Sequence, residues 1–350
     1  MFSETHGGLD WQELSRAGLN AGDILDFSVN SNPFGPAPAV RKALRTADLA
    51  SYPQRNSPAL CARLAEANGV AGANVLVGNG TAELIWLVVH AFVRPGDTVL
   101  ICAPTFGEYA RAAVTVGARL VEWRAAPPDF GVDAASLQQA LERTRPRLVF
   151  ICNPNNPTGQ TLPPETLRRL AGANPQTLFV LDEAYRSFVD GELFAPPPVT
   201  GWIVLRSMTK DFALAGLRLG YALADEEQLA AMRRYQPPWS VNALAQAAGL
   251  AVFADLDYYR RSLARLSGLA AGFKRRLCRA GFAPVDAPTH YFLLPTSQPA
   301  ATWRARLLAQ GVNVRDGTSF GLPQHVRIST RLPAANRRLL AALCALSETG

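Results

Sequence analysis

Lysine is nearly absent from this chain. Its 350 residues include only Lys42, Lys210 and Lys274, against thirty-two arginines. Arginine does not lose its proton in proteins, whereas lysine can when partly desolvated. Where arginine holds nearly every cationic position, a surviving lysine is a candidate for amine chemistry, with an ordinary surface lysine as the competing account. Cysteine is scarce as well. Cys61, Cys102, Cys152, Cys278 and Cys344 are odd in number and widely spaced, which argues against a disulfide frame or a zinc site and fits a reducing cytoplasm. The four histidines show no metal-ligand spacing, so no metal is expected. Long apolar runs are missing. Leu84 to Val93 is too short to span a bilayer and carries His90, so no membrane partner is expected. Met1 to Asp10 lacks a basic start followed by an apolar run, which predicts no secretory leader. The net charge is +7, but the basic residues are scattered or lie on helical faces, as at Arg41 and Arg45 or Arg337 and Arg338. A nucleic-acid partner is therefore not expected, and attraction of small phosphorylated anions explains the sign equally well.

Short apolar stretches alternate with helical ones along most of the chain. Val75–Val77, Thr98–Cys102, Arg119–Trp123, Arg147–Cys152, Thr177–Leu181 and Trp202–Leu205 read as strands. Helices are predicted between them, among them Ala82–Val93, Ala135–Thr144 and Pro164–Ala173. This alternation predicts an α/β fold with a mostly parallel sheet covered on both faces. Ligands of such sheets sit beyond the carboxyl ends of the strands. Polar clusters fall at those ends. They are Gly78-Asn79-Gly80-Thr81-Ala82, the turn around Phe106, Asn153 to Gly159, Asp182 to Tyr185, and Ser207 to Lys210. The last third mixes strands (Thr289–Leu294, Val312–Arg315, His325–Ser329) with helices and predicts a smaller α+β unit. The long Asp255–Arg279 helix would form its hinge. Domain boundaries are expected at 1–45 (arm and part of the small domain), 46–255 and 256–350.

A desolvated Lys210 could attack a carbonyl and form a Schiff base. Ser207, Thr209 and Arg218 stand nearby as anion ligands. Gly80, Thr81 and Ala82 open a helix whose free N–H groups form another anion site. A Schiff-base lysine beside a phosphate cup suggests pyridoxal 5′-phosphate (PLP). That cofactor needs a carboxylate at its pyridine nitrogen, for which Asp182 is the candidate. Asn156, with Tyr185 second, would donate to the ring oxygen, and Phe106 could stack on the ring. Near the N-terminus, paired Gly7 and Gly8 would let the backbone approach a ligand, with His6 as a donor.

These stretches together resemble the fold-type I PLP enzymes of the aminotransferase class I/II superfamily, over nearly the whole chain. The resemblance implies an aspartate aminotransferase-like large domain with a seven-stranded sheet. Two subfamilies are most similar. His6-Gly7-Gly8, Asp26-Phe27-Ser28-x-Asn30-x-Asn32-Pro33, Pro238 to Leu244 and Arg327-x-x-x-Arg331 resemble the L-threonine-O-3-phosphate decarboxylases of cobalamin biosynthesis. Tyr185 instead resembles the histidinol-phosphate aminotransferases. The resemblance implies that Lys210 forms the Schiff base, with Asp182 at the pyridine nitrogen. It implies that Tyr52 reaches the cofactor phosphate of a neighbouring subunit in a homodimer. His6, Gly7, Asn30, Asn156, Arg315 and Arg327 would hold the anionic groups of a small phosphorylated amino acid. Decarboxylation is the expected reaction and transamination the alternative. A non-catalytic PLP-binding regulator would carry a DNA-binding module, and no helix-turn-helix pattern is found.

Overall fold

The computed structural model describes residues 7–198 and 200–348. Strand β1 (Leu25–Asp26) follows the arm. Seven strands then build the main sheet: β2 (Val75–Gly78), β3 (Thr98–Ala103), β4 (Arg119–Arg124), β5 (Leu148–Cys152), β6 (Leu178–Asp182), β7 (Ile203–Ser207) and β8 (Gly220–Leu223). The last third supplies β9 (Tyr291–Pro295), β10 (Val312–Asn313), β11 (Arg315–Asp316) and β12 (His325–Ser329).

The main sheet has the order β2-β8-β7-β6-β5-β3-β4. Only β8 runs against its neighbours, so the sheet is mostly parallel, as predicted. Its central strands are buried along their whole length, as a sheet covered on both faces requires. Two separate cores line its faces. One holds Leu100, Val149, Leu181 and Val204, and the other Val99, Phe150, Val180 and Leu205. Successive residues of one strand serve opposite faces, as the period of two demands. The edge strand β4 carries exposed Arg119, Glu122 and Arg124, charges that discourage further pairing.

A third core gathers Phe27 from the N-terminal segment with Phe273, Phe292, Val314, Ile328 and Leu343. Here β11-β12-β9 form an antiparallel sheet, and β1 pairs with β10. The Leu256–Arg279 helix bridges two cores. Tyr259 and Leu263 pack beneath the main sheet, whereas Phe273 and Leu277 pack in the third core. Three predicted elements change. Ile24–Ser28 shortens to β1. Val312–Arg315 is not one strand but β10 and β11, which belong to different sheets. The Ala82–Val93 helix starts two residues earlier, as Gly80–Phe92, and the chain turns into it at Gly80, whose left-handed φ of 76° other residues rarely adopt.

Candidate active site

The parallel strands bring the carboxyl ends of β2, β3, β5, β6 and β7 to one edge. Above it lies a cavity of about 300 Å³ whose wall includes Asp182, Lys210 and Asn156. Thr81 and Ala82 enter from the helix that follows β2, and Thr209 and Arg218 from either side of Lys210. Phe106 and Tyr185 supply the aromatic wall, while Gly7, Asn30 and Arg327 close it from the small sheet and the arm. The cavity thus collects twelve of the predicted residues from eight stretches of the chain.

Asp182 ends β6 and is buried. Its Oδ2 accepts a 2.7 Å hydrogen bond from the Tyr109 hydroxyl and its Oδ1 one of 3.0 Å from the Ala184 N–H. Burial pushes its carboxyl up to about 6, while those two donors favour the charged form. A cationic partner in the cavity would oppose the burial effect. Lys210 lies in the opposite sense. Burial, then the charges of Arg327 and Arg218, push its amine down to about 8, with Asp182 opposing. Roughly a tenth of such amines are neutral at pH 7, a useful population for a nucleophile.

The anion end is built from backbone. The Gly80–Phe92 helix opens with N–H groups that have no helical partner. Gly80 is not in the cavity wall itself. Its missing side chain makes room for Arg218, whose Nη2 would lie 3.0 Å from an added Cβ. Arg218 also has a left-handed φ of 57°, a strained conformation for a side chain of its size and one that clusters at functional sites. Ser207 lies behind Thr209. Their hydroxyls are 2.7 Å apart, so Ser207 orients Thr209 and does not itself line the cavity.

The Asn153–Gly159 loop divides its labour. Asn153 bonds the backbone of Leu162 twice. Asn155 bonds Thr105, Thr158 and the Pro104 carbonyl. These free Asn156 to face the cavity, where its Oδ1 accepts from Arg327. Arg327 also donates to the Ser28 carbonyl and lies over the Tyr291 ring. It is 4% exposed and forms no ion pair with the described residues.

Two predicted residues lie elsewhere. Arg315 faces Arg327 across the β11–β12 ladder but is directed to the Ser319 hydroxyl at 2.6 Å and the Phe320 ring, outside the cavity wall. Tyr52 is 81% exposed and packs on Trp239 at 4.9 Å, away from this chain's cavity. His6 lies outside the described residues. Tyr109 is a wall residue that the sequence does not single out. It is the second residue of the Glu108–Thr115 helix, stacks on Phe150 and holds Asp182. Nor does the sequence mark Ser28 as a wall residue.

The model of the family "aminotransferase class I and II" matches residues 22–343. The chain belongs to that family. Members with named activities resemble it over nearly their whole lengths. Histidinol-phosphate aminotransferase 2 of Ralstonia nicotianae is 36% identical over 93% of this chain and 89% of its own. The crystal structure of histidinol-phosphate aminotransferase from Sinorhizobium meliloti, in complex with pyridoxal-5′-phosphate, superposes with a TM-score of 0.88 at 28% identity, over 99% and 96% of the two chains. L-threonine-O-3-phosphate decarboxylase from Porphyromonas gingivalis gives a TM-score of 0.81 at 27% identity, over 92% and 99%. The chain is an α/β PLP enzyme of fold type I, and its cofactor is pyridoxal 5′-phosphate. The cavity fits that group. A buried carboxylate with both oxygens oriented, a depressed lysine, an open helix N-terminus and an arginine stand around one volume. No helix among the described residues is long and apolar enough to cross a membrane.

Proposed function

We propose that the enzyme decarboxylates L-threonine O-3-phosphate to (R)-1-amino-2-propanol O-2-phosphate, a reaction of cobalamin biosynthesis. One observation carries this choice. Gly7, from the arm motif shared with the decarboxylases, lies against Arg327 in the cavity wall, together with Ser28 and Asn30 from the second shared motif. A phosphorylated amino acid presents two anionic groups. Buried Arg327 and the arm's backbone N–H groups would meet one end, and guanidinium forks suit phosphate and carboxylate alike.

When bound, pyridoxal phosphate offers an aldehyde carbon and a ring that accepts the electron pair of whichever substrate bond breaks. The protein's own residues do the rest. Asp182 would hold a protonated pyridine nitrogen, and Asn156 and Tyr185 would steer the ring oxygen. Thr81, Ala82, Thr209 and Arg218 would hold the cofactor phosphate. Lys210 would supply the attacking amine and later return a proton to Cα. Arg327 would orient the substrate, so that its carboxylate and not its Cα hydrogen stands where bond cleavage is easiest.

The names of the relatives favour a second reading, transamination of the histidinol-phosphate type, and Tyr185 agrees with it. Incubating the purified protein with L-threonine O-3-phosphate separates the two. Release of carbon dioxide without any 2-oxo acid supports decarboxylation. Turnover of histidinol phosphate that strictly requires 2-oxoglutarate overturns it. We further infer a cytoplasmic homodimer, in which exposed Tyr52 reaches the cofactor phosphate of the other subunit, with domains divided near residues 45 and 255.

A further inference from the structure

The arm does not merely pass the cavity; a compact set of polar bonds holds it there. Asp26 Oδ1 accepts from the Ser28 N–H at 2.9 Å, the Ser28 hydroxyl at 2.6 Å and Asn313 Nδ2 at 3.0 Å. The Ser28 oxygen in turn accepts the Gly8 N–H at 2.7 Å. Asn313 Nδ2 also reaches the Gly8 carbonyl at 3.3 Å and the Ser28 hydroxyl at 3.2 Å. Asp26 and Asn313 are register partners in the β1–β10 pair, so the cluster is fixed by backbone pairing. Ser28 and Asn313 are 2% and 1% exposed. Gly7, the next residue out, leaves no room for a Cβ, which would collide with the Ser28 carbonyl and lie 3.4 Å from Arg327 Nη2.

The same cluster also touches a charge. Burial lowers the proton affinity of Arg327 and Arg331, and the field of Asp26 opposes it, for Arg327 after those of Tyr185 and Tyr291. A free carboxylate whose field reaches Arg327 can turn to pair with it and cancel it. Here three donors hold one of its oxygens, and Arg327 donates to neutral oxygens of Asn156 and Ser28. A buried guanidinium without an anion is costly until an anion arrives. We propose that Asp26 and Asn313 are positioning residues for the substrate's anionic end: they clamp the Gly7–Gly8 backbone beside Arg327 and hold the Asp26 carboxylate out of an ion pair with it. This rests on Arg327 being the anchor for that end of the substrate.

The test compares three variants of the PLP-loaded enzyme: Asp26→Ala, Asp26→Asn and Asn313→Ala. Asparagine keeps the accepting oxygen but removes the charge. Two readouts are used. The first is KM and kcat with whichever of L-threonine O-3-phosphate and histidinol phosphate the wild type turns over. The second is the rate at which trypsin releases residues 1–16 by cutting after the exposed Arg16, followed by mass spectrometry. Asp26→Ala and Asn313→Ala are expected to raise KM at least tenfold with kcat within threefold, and to speed cleavage at least threefold. Asp26→Asn should keep the arm protected, with KM at or below that of the wild type. A merely structural role would damage both Asp26 variants alike and lower kcat; that outcome overturns the proposal, as does an unchanged KM in Asp26→Ala. If Asp26→Ala fails to retain cofactor absorbance, Asn313→Ala against Asp26→Asn gives the same contrast. If the wild type turns over neither substrate, the proposed function falls and cleavage alone judges the clamp: faster release in Asp26→Ala with Asp26→Asn at the wild-type rate sustains it, and equal rates refute it.

Discussion

Gly220→Ala should weaken cofactor binding from a position that touches no cofactor. Gly220 is the first residue of β8 and is paired on both sides, with Gly78 of β2 and Ser207 of β7. A Cβ built there would stand 2.9 Å from Thr81 N, 3.0 Å from the Gly80 carbonyl carbon and 3.0 Å from the Arg206 oxygen. All three are backbone atoms, so no side-chain rotation relieves the contact. Carbon needs about 3.5 Å or more from such atoms, so roughly half an ångström must be found. The two ladders resist a sideways shift of β8. The compliant partner is the start of the Gly80–Phe92 helix, where Thr81 and Ala82 face the cavity. Overpacking of this kind costs about 1–3 kcal/mol. If about half of that falls on the bound state, PLP affinity drops by about two- to twelvefold. Gly216→Ala is the control, since nothing lies within 4 Å of its added Cβ. The assay is a fluorescence titration of apoprotein with PLP beside a thermal melt of each variant. Unchanged affinity and melting in Gly220→Ala, or an equal loss in Gly216→Ala, would refute the steric reasoning.

Lys210→Ala should abolish turnover and the visible absorption band of the bound cofactor, read in a spectrophotometer after loading with PLP. The native Lys210 amine, at about 8, lies below its ordinary value of 10.5. Between those values the unfolded chain binds the proton and the native chain does not, so apoprotein stability should rise with pH from about 8 to 10, by at most about 1.4 kcal/mol per pH unit, and that contribution is lost as pH falls through 8. Denaturant melts of apoprotein should show this slope in the wild type and its loss in Lys210→Ala. Arg327→Lys should raise KM for the phosphorylated substrate about tenfold or more, since one ammonium cannot reproduce the two-sided contact with Asn156 and Ser28; steady-state kinetics decide. Tyr109→Phe removes the hydroxyl that holds Asp182 Oδ2. A hydrogen bond to a charged group contributes about 1.5–3 kcal/mol, and a PLP titration should show at least a several-fold loss of affinity.

The sheet was legible because buried parallel strands are short apolar runs closed by polar residues, and each closing cluster is a sequence signal in its own right. That is why the sequence alone assigns Asp182, Lys210 and Asn156 to one crevice. The strand β8 is harder to read. Gly220 to Leu223 is four residues long, opens on a glycine and shows no alternation, and its ladders with β2 and β7 make it a strand. Tyr109 was hidden for a different reason. Its partner Asp182 lies far along the chain, and a tyrosine in a helix gives no hint of which buried oxygen it will meet. The pair β10 and β11 failed through length, since two residues cannot display a period.

Arg315 shows where positional reasoning stops. Directly opposed residues of an antiparallel pair share a face, so Arg315 and Arg327 had to emerge side by side once β11 met β12. Burial and then the charge of Arg327 bring Arg315 down to about 10. The protein separates their tasks by neighbours, not by distance. Arg315 is turned to Ser319 and Phe320, while Arg327 reaches Asn156 at the tip of the loop that also lines the cofactor cavity. An anion bound at Arg327 therefore relieves a repulsion as well as gaining a hydrogen-bonded cation. That double gain accrues only to a substrate carrying its negative charge at Arg327.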